Sequence, residues 1–239
     1  MSSQSQIGTF VKTASPHVVE VLGTTTLNFV CLDAEHAPLD RGMLDLMVMA
    51  GRASHLKVFI RIAEINPSVI LSALDIGAHG LLVPHVDSAA QAREVVAMAR
   101  YRGGNRGYSG SPRFAAYGSM GMKDALRVGD EAQVICQIES AAAVHEAQAI
   151  AAEPGVAGLF VGRADLALSM GLENSRDDRV NEATQHVLGV AHRANKIAGM
   201  HVAGTAERTQ FEPLGANWFI VASDQTLLRQ AAQAIAITP

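Results

Sequence analysis

The 239-residue sequence lacks several features that would place it in a specialised class. No apolar run approaches the roughly 20 residues that a membrane-spanning helix needs, and the segment MSSQSQIGTFVK lacks the basic start and apolar stretch of a signal peptide. The only two cysteines, Cys31 and Cys136, lie inside apolar runs, which favours buried thiols in a reducing compartment. The net charge of −4, with both signs well mixed, argues against nucleic-acid or anionic-membrane binding. We therefore expect a cytoplasmic protein that binds neither nucleic acid nor membranes.

Several common catalytic motifs are also missing. The sequence contains no GxxxxGK(S/T) phosphate loop, GxSxG nucleophile elbow, CxxC pair or HExxH zinc motif. The glycines of 103–110 follow a predicted helix rather than a strand, so they are not a dinucleotide-binding fingerprint. No lysine stands clearly at the end of a predicted strand as a Schiff-base former, since Lys57 begins one. These absences favour metal-assisted over imine-based carbonyl chemistry.

The sequence does contain a regular alternation of short apolar runs and longer helical segments. Hydrophobic residues make up 49% of the chain, which is enough to bury a substantial core. Nearly continuous apolar runs predict strands at 7–12, 28–33, 57–62, 80–84, 133–139, 157–162, 197–202 and 217–222. The helices predicted between them include 40–53, 67–77, 88–100, 140–152, 178–195 and 223–236.

Local signals support several of these boundaries. Asn66 precedes a proline that suits a first helical turn, Ser88 and Ser223 suit N-caps, and Gly77 suits a C-terminal stop. Eight strands that alternate with helices imply a parallel sheet, and eight is also the number that closes a barrel. The sequence therefore predicts an α/β fold, a single (β/α)8 TIM barrel over residues 1–239, in preference to an open doubly wound sheet.

Polar residues at the predicted strand ends are the candidates for chemistry, because the active sites of such barrels gather at the C-terminal ends of the strands. The side chains and turns at these ends are Asp33, Glu35, His36, Arg61, Glu64, Asn66, His85, Gln137, Glu139, Gly162, Arg163, Ala164, Asp165 and His201. Among the nine histidines, His85 and His201 are weaker site candidates than His36.

Glu139 and Asp165 are predicted to form a metal site. They follow neighbouring strands, so their carboxylates can converge above one barrel wall. Two close carboxylates repel unless a cation lies between them, and a hard divalent ion is commonly held by one or two carboxylates, water and substrate oxygens. Alternatively, each carboxylate caps the helix that begins beside it.

Gln137 and the 162–165 turn are further candidates at this end of the predicted barrel, and a polar Gln137 in a packed strand needs a partner. Gln137 alternates with Glu139 along one strand, so both side chains point to the same side. The turn begins a helix, and its free backbone N–H groups suit a substrate carboxylate. An ordinary strand-to-helix turn is an equally good interpretation of that segment.

Arg61 and His36 complete the predicted constellation. A buried guanidinium at Arg61 requires an anionic partner, which is a substrate carboxylate, an enolate, or an internal carboxylate such as Glu64 or Asp33. His36 is the preferred general base because it follows a strand and has carboxylates nearby.

These residues resemble the HpcH/HpaI family of metal-dependent, class II pyruvate aldolases. The resemblance rests on FVCLDAEHAPLD at 29–40, on FIRIAEINPSVILSALDIGAHGLLVPHVDSAAQAREVVAMARY at 59–101, on QIES at 137–140 and on GVAGLFVGRADLALSMG at 155–171. It implies a (β/α)8 barrel that catalyses reversible aldol addition of pyruvate, or a similar 2-oxo acid, to an aldehyde.

The resemblance also implies roles for individual residues. Glu139 and Asp165 would ligate Mg²⁺, Mn²⁺ or Co²⁺, which the 2-oxo acid chelates. The remaining roles fall to an enolate-stabilising Arg61, an acid/base His36, and substrate contacts at Gln137, Gly162 and Ala164. Asp75 matches a residue that raises the basicity of the histidine, although topology alone favours Asp33, since Asp75 lies late in a helix that leads away from the barrel mouth.

The sequence departs from the family pattern in the region where an acceptor aldehyde would enter. Arg163 replaces a frequent proline, and His85 stands where many relatives have an uncharged residue. The irregular segment 101–118, with three arginines, suits a lid or binding loop and could recognise an acidic or phosphorylated acceptor, although a solvated or intersubunit loop is the simpler interpretation. Relatives are commonly hexamers, so the resemblance implies a homo-oligomer, a trimer or hexamer, in which the helix at 223–236 could be exchanged between subunits.

Two other functions fit the same constellation. One is a different enolate reaction, such as oxaloacetate decarboxylation or cleavage of a citramalyl- or malyl-type thioester. The other is a catalytically silent barrel that senses a 2-oxo acid, which the co-occurrence of His36, Arg61, Glu139 and Asp165 argues against.

Overall fold

The computed structural model describes residues 5–236, which form a closed barrel of eight parallel strands with helices around it. Each strand pairs with the next along the chain, and the last pairs with the first. The strands are β1 (Gln6–Val11), β2 (Phe29–Asp33), β3 (Lys57–Arg61), β4 (Gly80–Val83), β5 (Gln133–Ile138), β6 (Val156–Val161), β7 (Ile197–Val202) and β8 (Trp218–Ser223). The predicted (β/α)8 barrel is confirmed.

The described part of the chain contains ten α-helices. They are α1 (Pro16–Gly23), α2 (Arg41–Ala53), α3 (Pro67–Asp75), α4 (Ala89–Ala99), α5 (Met122–Gly129), α6 (Ala141–Ala152), α7 (Arg163–Ser169), α8 (Asp178–Arg193), α9 (Thr205–Phe211) and α10 (Asp224–Ala236). Helices α1, α5 and α9 were not predicted from the sequence. Each has seven or eight residues, which is too short for a clear 3.6-residue apolar period.

Side chains cap the helices at the predicted positions. The Asn66 side chain accepts a hydrogen bond from the Ser68 N–H, and Ser88 Oγ accepts one from the Gln91 N–H. Ser223 Oγ likewise accepts the Thr226 N–H at the start of α10. These contacts satisfy backbone donors that the first helical turn leaves free.

An aromatic cluster fills the inside of the barrel. The indole of Trp218 stacks on Phe29, with ring centroids 4.0 Å apart, and meets Phe59 and Phe160 edge-on. A Cβ atom on Gly8 would lie 2.4 Å from the Phe29 ring, so only glycine leaves room for that ring. The interior is therefore a packed core, and the space for a ligand lies at its end.

The last helix, α10, contacts the barrel mainly through its first residue. Asp224 is buried, whereas every side chain from 227 to 236 is exposed, including Leu227 and Leu228. This arrangement is compatible with the predicted exchange of the helix between subunits, which stays a prediction. Within residues 5–236, no helix is long and apolar enough to cross a membrane.

Removal of a core side chain should destabilise the barrel strongly. Leu82 is fully buried inside it, whereas Leu168 on α7 is 68% exposed. We expect Leu82→Ala to lower the free energy of unfolding by about 2–5 kcal/mol through lost burial and a residual cavity. Urea unfolding followed by the fluorescence of Trp218, the only tryptophan, measures this change.

Leu168→Ala is the matched control, because the same atoms are removed from an exposed site. We expect it to change the free energy of unfolding by less than about 0.5 kcal/mol. Equal losses in the two variants would contradict the core position of Leu82.

Candidate active site

A cavity of about 520 Å³ opens at the C-terminal ends of the barrel strands. Its lining includes eight of the strand-end candidates from the sequence: His36, Arg61, Gln137, Gly162, Arg163, Ala164, Asp165 and His201. Glu139 lies immediately behind this lining, where its carboxylate accepts a hydrogen bond from the Gln137 amide. The residues selected by the strand-end rule therefore converge on one cavity at the C-terminal ends of the strands. We refer to this space as the mouth cavity.

Arg61 is held rigidly at the cavity wall. Its Nε and one terminal nitrogen donate to the two carboxylate oxygens of Asp33 at 3.0 and 2.8 Å, and its other terminal nitrogen lies 3.1 Å from Glu35. The guanidinium also stands 4.6 Å from the centre of the Phe10 ring. Of the two internal partners considered for Arg61, the structure shows Asp33 rather than Glu64, and it adds Glu35.

Electrostatics keep this ion pair charged. Burial alone would raise the pKa of Asp33. The hydrogen bonds and positive charge of Arg61, with a further hydrogen bond from Lys12, outweigh burial, so the pKa of Asp33 lies below its usual value. Glu35 shows the opposite balance. Burial, with the negative charge of Glu139, raises the pKa of Glu35 despite the attraction of Arg61.

Glu139 is a buried carboxylate without a full counter-charge. Its side chain is 3% exposed, and within residues 5–236 no lysine or arginine forms an ion pair with it. One oxygen accepts the backbone N–H of His85 at 2.7 Å and lies 3.0 Å from His85 Nδ1, and the other contacts the Gln137 amide. The carbonyl oxygen of Gln137 is buried and has no hydrogen-bond partner. Spare negative charge beside an unsatisfied carbonyl oxygen suits a bound cation.

The turn at 162–165 lies directly against Glu139. A Cβ atom on Gly162 would stand 3.0 Å from both Cβ and a carboxylate oxygen of Glu139, so glycine permits this close approach. Asp165 follows in the first turn of α7, lines the cavity and is exposed. The described chain has no group of three His, Cys, Asp or Glu side chains placed to hold a metal. A metal held by Glu139 and Asp165 would therefore need water and substrate oxygens.

His36 is accessible from the cavity. Its ring is 55% exposed and lies 3.8 Å from Glu35, while its backbone N–H donates to Asp33. Asp33 therefore orients the main chain of His36, and the carboxylate beside the ring is Glu35. The topological preference for Asp33 as the partner of the His36 ring is not supported.

Asp75 lies elsewhere in the chain. It ends α3, and its carboxylate accepts a hydrogen bond from Arg106 at 2.8 Å. Arg106 lines a second cavity together with residues at the start of β3 and β5, such as Lys57 and Gln133. Asp75 is therefore at the opposite end of the barrel from His36 of the same chain, because α3 runs from the mouth to that end.

Comparison with known proteins identifies the family. Residues 6–231 match the family model described as HpcH/HpaI aldolase/citrate lyase. The chain belongs to the HpcH/HpaI aldolase/citrate lyase family. It is thus a carbon–carbon lyase acting on small molecules, as the resemblance implied.

Individual relatives cover nearly the whole chain. A 5-keto-4-deoxy-D-glucarate aldolase of Klebsiella pneumoniae is 37% identical over 98% of this chain and 91% of its own length. The crystal structure of a family protein from Burkholderia cenocepacia J2315 is 33% identical, with a TM-score of 0.91 over 98% of this chain and 94% of the other. A HpcH/HpaI aldolase from Desulfitobacterium hafniense is 25% identical, with a TM-score of 0.89, over 99% and 94% of the two chains.

Three residues of the site were missed or undervalued in the sequence. Lys12 lines the mouth cavity directly after β1, so the expectation that no lysine stands at a strand end is wrong. It was the last residue of the predicted first strand, and the strand-end rule should have included it. Glu35 and His85, 3.4 Å apart, connect Arg61 with Glu139, although His36 and Asp33 had seemed the more important neighbours in the family motif.

The arginines of segment 101–118 do not reach the mouth of their own barrel. Arg106 pairs with Asp75, and Arg113 pairs with Asp45 at 2.6 Å. Arg102 is exposed, and its backbone N–H bonds to Asp130. The hypothesis that this loop recognises the acceptor is therefore wrong within one chain, because α4 has already carried the chain to the opposite end.

Arg163, which departs from the family pattern noted in the sequence, is anchored by an ion pair. It is the first residue of α7 and donates to Glu207 at 2.7 Å, with both side chains nearly buried. Glu207 also accepts the Ala203 N–H. The ion pair ties the 162–165 turn to α9.

Acid should weaken the fold partly through Asp33. Ionised Asp33 stabilises the native state above its unfolded pKa of about 3.9, and this contribution is lost as the pH falls through the lower folded-state pKa. We expect the free energy of unfolding of the wild type to fall more steeply between about pH 5 and pH 2 than that of Asp33→Asn.

Asp124→Asn provides the control for urea titrations across this pH range, since Asp124 is 65% exposed. Its pH dependence should run parallel to that of the wild type. If Asp33→Asn also ran parallel, the ionised Asp33–Arg61 pair would not contribute to acid stability.

Proposed function

We propose that this lyase catalyses the reversible, metal-dependent cleavage of 4-hydroxy-2-oxo acids to an aldehyde and pyruvate, or a similar 2-oxo acid. One observation carries the proposal. A buried carboxylate without a full counter-charge, Glu139, lies against the turn that bears Asp165, and that turn lines the same cavity as Arg61. This arrangement suits a reaction in which negative charge develops on a bound oxygen.

Glu139 and Asp165 would hold the divalent ion, Mg²⁺, Mn²⁺ or Co²⁺. Hard oxygen ligands, with the remaining positions left to water and substrate, match the preference of such ions. When bound, the ion supplies Lewis acidity toward the keto oxygen of the 2-oxo acid.

The other side chains bind, orient and transfer protons. Gln137 and the backbone of Gly162 and Ala164 border the position of the 2-oxo acid, with the first N–H groups of α7 available to its carboxylate. Arg61, fixed by its two carboxylate partners, offers a stationary positive charge to the enolate oxygen. His36 takes the proton of the 4-hydroxyl group during cleavage and returns it during addition.

The physiological setting is part of the same proposal. We propose a homo-oligomer, a trimer or hexamer with α10 exchanged between subunits, which the exposure of that helix supports. A cytoplasmic location is supported by Cys31 and Cys136, which are buried and free. Burial raises the pKa of the Cys136 thiol to about 12, which makes it unreactive.

The reaction itself is tested with purified, metal-loaded protein. We expect cleavage of 4-hydroxy-2-oxo acids, detected as pyruvate release, and exchange of the methyl protons of pyruvate with D2O, detected by NMR. Failure of both assays would rule the proposal out. Oxaloacetate distinguishes the alternative enolate reactions, because a decarboxylase would turn it over faster than any aldol substrate.

Replacement of Glu139 should remove the metal and the activity together. Glu139→Gln keeps the shape but loses the charge that balances a divalent ion, so we expect calorimetric Mn²⁺ binding to disappear and the cleavage rate to fall by at least roughly 100-fold. Glu146→Gln on the exposed face of α6 makes the same chemical change away from the site and should behave as the wild type. Unchanged Mn²⁺ binding in Glu139→Gln would exclude Glu139 as a ligand.

A further inference from the structure

One wall of the mouth cavity is not used by the proposed catalytic groups. Glu139 and Asp165 follow β5 and β6, and Arg61 ends β3. The remaining wall comes from the ends of β1, β7 and β8 and from the start of α10. We call it the acceptor wall, and its side chains include Phe10, Lys12, His201, Ser223 and Thr226.

Lys12 is fixed on this wall by the start of the last helix. The backbone N–H groups of Lys12 and Thr13 donate to the carboxylate of Asp224 at 2.9 and 3.0 Å. Asp224 is itself only 8% exposed. These hydrogen bonds fix the main chain at the end of β1, and with it the position of the Lys12 Cα atom.

Lys12 is also a neighbour of the residue proposed to stabilise the enolate. Its ammonium group lies 3.1 Å from the Asp33 oxygen that Arg61 contacts at 2.8 Å. Both cations flank the ring of Phe10, with Lys12 Nζ 5.9 Å and the Arg61 guanidinium 4.6 Å from its centre. A molecule that reacts beside Arg61 therefore has Lys12 within reach on its acceptor side.

Among the three cations that line the cavity, Lys12 is the most available. The side chain of Lys12 is 27% exposed, compared with 8% for Arg61 and 10% for Arg163. Arg61 is occupied by Asp33 and Glu35, and Arg163 is occupied by Glu207. An ammonium group has three N–H donors, and the ion pair with Asp33 leaves donors free for a ligand.

The carboxylate that balances Lys12 is withdrawn from the cavity. Asp33 is completely buried, so the surface that this part of the wall presents to a ligand is the positive group and not its partner. On the same wall, Ser223 and Thr226 add hydroxyl groups, with Ser223 Oγ donating to Thr226 Oγ1 at 3.1 Å. A cation beside hydroxyl groups is a suitable environment for a carboxylate.

We infer that Lys12 is a specificity-determining residue that binds a carboxylate on the aldehyde acceptor. The inference rests on the proposed function and deepens it, because it assigns to this chain a residue that selects among acceptor aldehydes. In the addition direction, a bond forms between the methyl carbon of pyruvate and the aldehyde carbon. The methyl carbon loses one proton and the aldehyde oxygen gains one, and Lys12 takes part in neither transfer.

A matched pair of aldehydes tests the inference. The compounds 2-hydroxy-3-oxopropanoate and glyceraldehyde differ only in a carboxylate against a hydroxymethyl group. We expect the wild type to have the higher kcat/KM with the carboxylate. In Lys12→Gln the ratio of the two kcat/KM values should fall by roughly 10- to 100-fold, because a charge-assisted hydrogen bond is lost.

Two further variants control this ratio. Lys12→Arg keeps the positive charge and should retain most of the preference. Lys57→Gln removes a lysine charge from the opposite end of the barrel, at the first residue of β3, and should leave the ratio at the wild-type value. An unchanged ratio in Lys12→Gln, or a wild type that does not prefer the carboxylate, would overturn the inference.

The aldehyde ratio and the D2O exchange together distinguish a failure of the Lys12 inference from a failure of the proposed function. A purely structural role of Lys12, acting through Asp33, would lower kcat/KM equally for both aldehydes and leave their ratio unchanged. Exchange of pyruvate methyl protons with D2O needs no aldehyde. Exchange by the wild type with an unchanged ratio in Lys12→Gln would refute the role of Lys12 alone, whereas absence of exchange by the metal-loaded wild type would refute the function.

Discussion

The buried ion pair between Asp33 and Arg61 is the interaction on which the mouth of the barrel depends. Asp33 has no exposed surface, yet its two oxygens contact Arg61, Lys12 and the backbone N–H of His36. One carboxylate therefore ties together the ends of β1, β2 and β3. Removing one partner of a buried pair costs about 3–5 kcal/mol, whereas an apolar replacement of both is often neutral. The role of the pair is therefore better explained by the fixed position it gives the Arg61 charge at the mouth cavity than by a contribution to the stability of the fold.

The opposite side of the cavity has the reverse electrostatic character. There Glu139 is held by two uncharged donors, the Gln137 amide and the backbone of His85, while Asp165 is exposed nearby. His85 adopts a φ of +57°, which is uncommon for a residue with a side chain. The cavity thus lies between fixed cations and carboxylates with spare charge. Such a field would orient a polar anionic ligand before any reaction begins.

The barrel, and the position of Glu139 and Asp165 at one end of it, could be predicted from the sequence because both follow from local patterns. Continuous apolar strands mark a sheet covered on both faces, and residues after neighbouring strands must converge. Lys12, however, acquires its position from Asp33 and Asp224, which are 21 and 212 residues away along the chain. The end of the barrel at which segment 101–118 lies is set by the direction of α4, and no motif within the loop indicates that direction. Long-range contacts of this kind have no short-range signature.

The contact between Asp224 and the backbone after β1 has a consequence for the order of folding. β1 can complete its second edge only with β8, which follows every other strand of the barrel, and Asp224 comes immediately after β8. During synthesis, one edge of the growing sheet therefore stays unpaired until the end, which is a hazard for edge-to-edge association. The acceptor wall lies on this seam, so it cannot be complete before β8 and the start of α10 have been synthesised.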